Sequence, residues 1–378
     1  MQERVDKRNR RNSSIELLKI FALALIVINH VVSTLWSPSP YFQYDDYMID
    51  LGMASTSISQ LLLAIFSYFG ELGNDIFFVC SAYFLLNSKA YNKKKWFLLF
   101  GEIWFISVSI MFASVIYTKG NIPGELVVGS FFPTTFANNW YLTMYLLFYP
   151  IHPFLNMIVY NISQKSLFRL TCAMSFLYLG MNFILDDLFF YSYILVWITI
   201  YFIIAYMKLY LQNYAEKVRY NAILLAIGML GYVGLVVLTN HLGLSIERLS
   251  NNVLYWMKRC NPFLIMIAIA AINLAKKIEM NNKVINYLSG LSLVVYVLHE
   301  NIILRSMLRP RLWRYIYSIY GYKHIISWSI VISFVVLLIS IFVAIVYDKT
   351  IRNLVQLIES KIYEILKKAY LHMESFVL

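Results

Sequence analysis

The sequence predicts an all-α fold, a polytopic transmembrane helix bundle of about ten spans with a C-terminal amphipathic interfacial helix. Three observations carry this. Of 378 residues, 60% are apolar and only 14% charged, against roughly 45–50% and about 25% in an ordinary soluble domain. Apolar runs of about 18 residues or more, long enough to cross a hydrocarbon core, recur along the whole chain. The connecting segments alternate between rich and poor in Lys and Arg, as membrane topology requires. With a mean hydropathy of +0.64, most of the mass lies in spanning segments. Residues 1–348 therefore read as one transmembrane domain and 349–378 as a cytoplasmic amphipathic tail.

In chain order the expected spans are 15–36, 58–87, 95–117, 139–160, 167–184, 191–211, 220–240, 261–278, 286–305 and 324–347. The second is long and is expected to kink or re-enter near "FGELGND". The fourth carries Pro150 and Pro153 in "FYPIHPF" and is expected to break there. With the N-terminus inside, 22 of the Lys and Arg residues fall on the inner side, beginning with "RVDKRNRR" and "SKAYNKKK", and nine outside. This bias predicts both termini in the cytoplasm. The first outer loop, "SPSPYFQYDDYMID", has acids and no base, which agrees. The basic start resembles a signal peptide, but the run that follows lacks a small-residue cleavage site, so a retained anchor is expected.

Eight of the nine outer bases gather in two segments, one around Arg248, Lys258 and Arg259, the other from Arg305 through Arg309 to Lys323. They fit attraction of an anionic substrate or contact with lipid headgroups equally. The formal charge of +12 reflects orientation and anionic lipid rather than nucleic acid. Cys80, Cys172 and Cys260 lie in or beside apolar stretches and read as small hydrophobes, and no Cys/His spacing resembles a metal site. In the tail, Leu354, Ile358, Ile362, Ile365 and Leu366 share one side, the pattern of a helix lying on the inner membrane surface.

The first apolar run, "SIELLKIFALALIVINH", keeps three titratable groups: Glu16, Lys19 and His30. Lys19 and His30 are eleven residues apart, which on a helix brings them to within about 20° of one face and separates them by about 16 Å. Glu16 stands one turn before Lys19 and can partner it. A cation near the inner end and an imidazole deeper along one stripe suit a phosphorylated acyl donor entering from the cytoplasm. The cation would hold phosphates, while an extended arm such as the pantetheine of coenzyme A carries a thioester to the histidine. Imidazole then serves as general base or accepts the acyl group itself. Lys19 alone also fits snorkelling to the interface, whereas an intramembrane histidine points to function.

His299, in "SLVVYVLHENIILR", reaches a depth similar to that of His30 from another helix, so the two can line one cavity. Glu300 follows directly, but helix neighbours do not face each other, so His299 and Glu300 are not expected to act as a pair. His152, between the two prolines, reads as a packing residue. Asp75 fits two roles, capping a helix start or orienting a histidine.

Four blocks carry a resemblance. "ELLKIFALALIVINH" resembles the first-helix signature, an Arg, ten residues and a His, of the acyltransferase family 3 of bacterial integral membrane proteins. "GNDIFFVCSAYFLLNSK" resembles that family's G-x-D-x-F-F-V-x-S-G-Y block, "NNWYLTMYLLFYPIHPFLN" its Trp-bearing fourth segment, and "LSLVVYVLHENII" its late S-x-x-x-Y-x-x-H segment. The resemblance implies transfer of an acyl group, usually acetyl, from cytoplasmic acyl-CoA to a hydroxyl of an extracytoplasmic or lipid-linked glycan. By match to the motifs, Lys19 stands for the arginine, His30 for the histidine, Asp75 and Ser81 for the second block, Trp140 for the fourth segment and His299 for the late one. Lysine keeps the charge but loses the planar fork, and Ala82 replaces a glycine.

The expected assignment follows from both readings. His30, His299 and Asp75 are catalytic, Lys19 and Glu16 hold the acetyl-CoA donor, and Trp140, Tyr141, Ser81, Arg305 and Arg309 meet the acceptor, with no metal. Trp140 and Tyr141 stack on a sugar ring or belong to an aromatic belt. The setting is a bacterial cell membrane and a capsule or exopolysaccharide. A polysaccharide polymerase or flippase would explain the outer arginines, but gives no reason for Lys19 and His30 to share a stripe. A membrane O-acyltransferase of another fold disagrees with the first-helix location.

Overall fold

Asn12 opens the first helix, its side-chain oxygen accepting from the Ser14 N–H, and α1 then runs from Ser13 to Ser33. A computed structural model describes residues 12–37, 48–88, 90–136, 138–185 and 192–377. The basic segment "RVDKRNRR" and most of the loop "SPSPYFQYDDYMID" lie outside the described residues. The end of the bundle at which α1 begins is called proximal here, and the other end distal.

The expected kink in the second span is present. The chain breaks at Tyr68 between α2 (Ile58–Ser67) and α3 (Phe69–Leu85). Glycines of "FGELGND" let α3 lie directly on α1: a Cβ on Gly73 would stand 2.5 Å from the Ala22 carbonyl oxygen, and one on Gly70 would collide with the Asn29 side chain. α4 (Lys93–Tyr117) starts on an Asn92 cap, and the short α5 (Gly124–Phe131) folds back against it.

The expected break in the fourth span is absent. α6 runs unbroken from Trp140 to Asn161 through both prolines. Each proline lacks the N–H that would bond the carbonyl four residues earlier, and each freed carbonyl has a substitute donor. Trp96 Nε1 donates to Leu146 O at 2.8 Å. The His152 imidazole Nδ1 contacts Tyr149 O. His152 thus repairs the backbone of its own helix, in line with a packing role.

α7 (Gln164–Met174) continues through a π segment, Ser175–Met181, to Ile184, and is followed by α8 (Tyr193–Tyr210) and α9 (Val218–Gly243). α10 (Pro262–Lys277) has 16 residues. The stretch expected as one span over 286–305 is three pieces: α11 (Lys283–Gly290), α12 (Ser292–His299) and the start of α13 (Ile302–Tyr320). The basic stretch after residue 305, expected as an outer loop, is therefore helical. α14 (Ile325–Thr350) and α15 (Arg352–Val377) complete the chain.

Among the described residues the fold is all helical, and eight helical stretches are long and apolar enough to cross a membrane. The chain is a multi-pass membrane protein. α15 attaches to α4 through Arg352, whose Nε lies 2.8 Å from Glu102 Oε1, and through Tyr363 against Phe97. Leu354, Ile358, Ile362, Ile365 and Leu366 stay exposed on it, the face predicted for lipid. Among the described residues Cys80 and Cys172 form no disulfide.

Candidate active site at the meeting of α1, α12 and α13

Two histidines from different helices meet inside the bundle. His30, in the last turn of α1, and His299, the final residue of α12, stack with ring centroids 5.2 Å apart. His30 Nδ1 lies 3.0 Å from His299 Nε2. Their neighbours assign the tautomers. His299 Nδ1 is 2.8 Å from the Val295 carbonyl oxygen, which can only accept, so that nitrogen carries the proton and Nε2 offers a lone pair. His30 Nδ1 is then the donor, shared between His299 Nε2 and Glu300 Oε2, which is also 3.0 Å away. His30 Nε2 has no hydrogen-bond partner among the described residues, and in the neutral imidazole it is the nitrogen that holds the lone pair.

Glu300 serves His30 rather than its sequence neighbour His299, with which it was not expected to pair. It does so because α12 ends at His299: Glu300 leaves helical geometry at φ −103°, ψ 11°, and Asn301 caps α13 by accepting from the Ile303 and Leu304 N–H groups. The break turns the carboxylate across to α1. The asparagine in "HEN" is the sequence signal for it, since Asn is a preferred N-cap.

Two arginines of α13 hold that carboxylate. Arg305 Nη1 is 2.5 Å from Glu300 Oε1, and Arg309 Nη2 is 3.0 Å from Oε2. Arg309 is buried, donates from Nη1 to the His30 carbonyl at 3.0 Å, and bonds the His299 carbonyl through Nη2. Trp313 Nε1 donates to Val31 O at 3.1 Å. Arg309, expected to meet substrate, instead has its guanidinium committed to internal partners. It clamps the ends of α1 and α12 together, and only a planar fork reaches all three acceptors.

His30, His299 and Glu300 bring three potential ligand atoms to within 4.8 Å of one another. A cation would fit poorly among them. Both carboxylate oxygens already face guanidinium groups, and their positive charge repels a metal ion.

At the proximal end of α1, Glu16 is buried, accepts from the Ser289 hydroxyl, and lies 3.5 Å from Lys19 Nζ. Lys19 stands over the Phe84 ring, 5.8 Å from its centroid. Between Lys19 and His30 lies a cavity of about 140 Å³, walled by Ile26, Ser81, Tyr141, Tyr145, Ser292 and Tyr296 among others. Ile26 falls on the same α1 stripe as Lys19 and His30. The Ser81 hydroxyl bonds back to Phe77 O at 2.9 Å. Tyr296 presents its ring edge to both histidines, with centroids 6.4 Å from His30 and 5.5 Å from His299. Its hydroxyl is buried without a hydrogen-bond partner among the described residues, and Tyr296 was not among the expected site residues.

Asp75 is buried, its Oδ2 has no partner among the described residues, and it makes no hydrogen bond to either histidine; the carboxylate at His30 is Glu300. Trp140 stacks on the Arg259 guanidinium at 3.7 Å from its centroid, and Tyr193 covers it at 3.8 Å. Glu71 lies 3.6 Å from the same arginine. Tyr141 is buried in the cavity wall, 6.1 Å between centroids from Tyr296.

The sequence model of acyltransferase family 3, described as an acyltransferase domain, matches residues 12–347. No curated protein and no solved structure matches the chain.

Proposed function

Since the chain belongs to acyltransferase family 3 and is a membrane acyltransferase, we propose that it carries an acyl group, acetyl by preference, from cytoplasmic acyl-CoA to a hydroxyl of an extracytoplasmic or lipid-linked surface glycan. In this reading the proximal end of the bundle faces the cytoplasm of a bacterial cell. The carrying observation is the line from Lys19 past Ile26 to His30, with the cavity beside it. About 16 Å of helix separates its ends, the reach of an extended pantetheine arm.

The geometry supports the following chemistry. The donor phosphates sit near Lys19, and the thioester lies along Ser81 and Tyr141 with its carbonyl carbon at His30. The acceptor hydroxyl oxygen attacks that carbon while His30 Nε2 takes its proton. Glu300 stabilises the imidazolium through Nδ1, as the carboxylate of a nucleophile–base–acid arrangement does. The C–S bond then breaks, and His30 returns the proton to the departing thiolate. The Tyr296 hydroxyl, which has no hydrogen-bond partner among the described residues, donates to the carbonyl oxygen as negative charge gathers there. Trp140 and Tyr193 pack on the Arg259 guanidinium, and the acceptor sugar stacks on the aromatic faces that this contact leaves free.

The test is glycan analysis of cells carrying His30→Ala. Loss of O-acetylation at normal protein level supports the reading, and retained O-acetylation overturns it. Altered polymer length with unchanged acetyl content would instead identify a polymerase.

A further inference from the structure

Two lysines outside the first helix converge on one ring at the proximal end of α3. Lys208, near the end of α8, and Lys276, in the last turn of α10, each hold their ammonium 4.2 Å from the centroid of Tyr83. The two charges are therefore within about twice that distance of each other. Lys208 Nζ also donates to Tyr83 O at 2.6 Å and to Asn87 Oδ1 at 3.0 Å. Neither ammonium has a carboxylate within ion-pair distance among the described residues. A carboxylate is nearby, since Glu216 lies 4.0 Å from Lys277, the very next residue, yet it is not aimed at Lys276.

Helix C-termini favour cations, which accounts for one lysine at each helix end. It does not account for two that share one aromatic ring with no carboxylate counter-ion among the described residues. Like charges so close repel, and a ring attracts each only weakly. An anion between them removes the conflict.

The chain's own geometry says which anion. Tyr83 lies two residues beyond Ser81, which is in the cavity wall, and its neighbour Phe84 is the ring under Lys19. Three ammonium groups thus stand around the proximal end of α3, two to three residues beyond Ser81 of the cavity wall. We propose that Lys208 and Lys276, together with Lys19, bind the phosphates of the nucleotide end of the acyl donor, leaving its arm to run past Ser81 towards His30. This assignment rests on the acyl-CoA reading above and adds two residues to it. The same chemistry would attract an anionic lipid headgroup, and the experiment separates the two.

Coenzyme A binding is measured by calorimetry on the full chain in nanodiscs of zwitterionic lipid. Lys276→Gln is the cleaner variant, because among the described residues the Lys276 ammonium makes no hydrogen bond or ion pair, and Lys208→Gln is run beside it. Each is expected to weaken coenzyme A binding by about tenfold, as loss of a charge-assisted contact does, while pantetheine, which lacks phosphate, binds wild type and variants equally. Unchanged coenzyme A affinity in a Lys276→Gln chain that still binds pantetheine overturns the proposal. So does an occupant of the other kind, seen as phosphatidylglycerol nanodiscs raising the melting temperature of wild type but not of Lys276→Gln while coenzyme A affinity ignores the substitution. If wild type binds no coenzyme A at all, the donor reading falls and this site with it; if wild type binds it and the variants match, only this site falls.

Discussion

Glu300 Oε2 stands 3.0 Å from His30 Nδ1, joining two residues 270 positions apart in the chain through the broken end of α12. The bond needs the helix to stop at His299 and Arg305 and Arg309 to hold the carboxylate. In the neutral imidazole it fixes the tautomer that leaves the lone pair on Nε2, the atom the chemistry requires. A buried carboxylate between two guanidiniums has a desolvation cost that ion pairing only offsets, so this arrangement is better explained by positioning than by stability.

Glu300→Gln keeps the shape of the side chain but not its charge. Acyl transfer is expected to fall about 10²–10⁴-fold with the protein still folded. Turnover on labelled acetyl-CoA in membrane vesicles, beside a thermal unfolding scan, checks this; near-wild-type turnover would remove Glu300 from the mechanism.

The tautomers are directly observable. Nitrogen NMR of histidine-labelled protein at neutral pH should show His30 protonated on Nδ1 and bare on Nε2, with His299 protonated on Nδ1. In His299→Phe the His30 Nδ1 signal should shift, because one of its two acceptors is gone. The opposite tautomer at His30 would refute the network.

Tyr296→Phe removes one oxygen and keeps the ring against both histidines. Turnover is expected to drop about 10²-fold, the loss typical of one oxyanion donor, with the donor KM little changed. A change confined to KM would make Tyr296 a binding residue instead.

Arg309→Lys retains charge but cannot reach the carboxylate and both carbonyls at once. It should destabilise the fold by about 1–3 kcal/mol through unsatisfied buried groups, read as a lower melting temperature in detergent. An unchanged melting temperature would mean that the clamp is dispensable.

The C-terminal helix carries a pH response. Burial, with the Glu102 charge next in effect, raises the Glu359 carboxyl on α15 from its ordinary 4.5 to about 7. Undocked, the group ionises near its ordinary value. The docked helix therefore favours the protonated form, so attachment is firmest below the ordinary value and weakens as pH rises through about 7. Arg352, bound to Glu102 and Asp348, and Tyr347, beside Glu102, also face this region and hold the helix start. Protection of the amides over 352–377, corrected for base-catalysed intrinsic exchange, should fall between about pH 4.5 and 7 in wild type and stay level in Glu359→Gln.

Composition and the length of apolar runs were enough to specify an all-helical membrane bundle, because the cost of exposing apolar side chains and unpaired backbone depends on local sequence alone. The Lys19–His30 stripe was equally legible, since both residues share one regular helix. The local ends of elements were not. Pro150 and Pro153 foretold a break that Trp96 and His152 prevent by supplying the missing donors, and those donors lie where only packing puts them. Glu300 at His30, Arg309 across both helix ends, Tyr296 with an unpartnered hydroxyl and two lysines on Tyr83 all depend on distances between helices far apart in the chain. Periodicity reports which face a side chain occupies; which helix that face meets is decided only when the bundle closes.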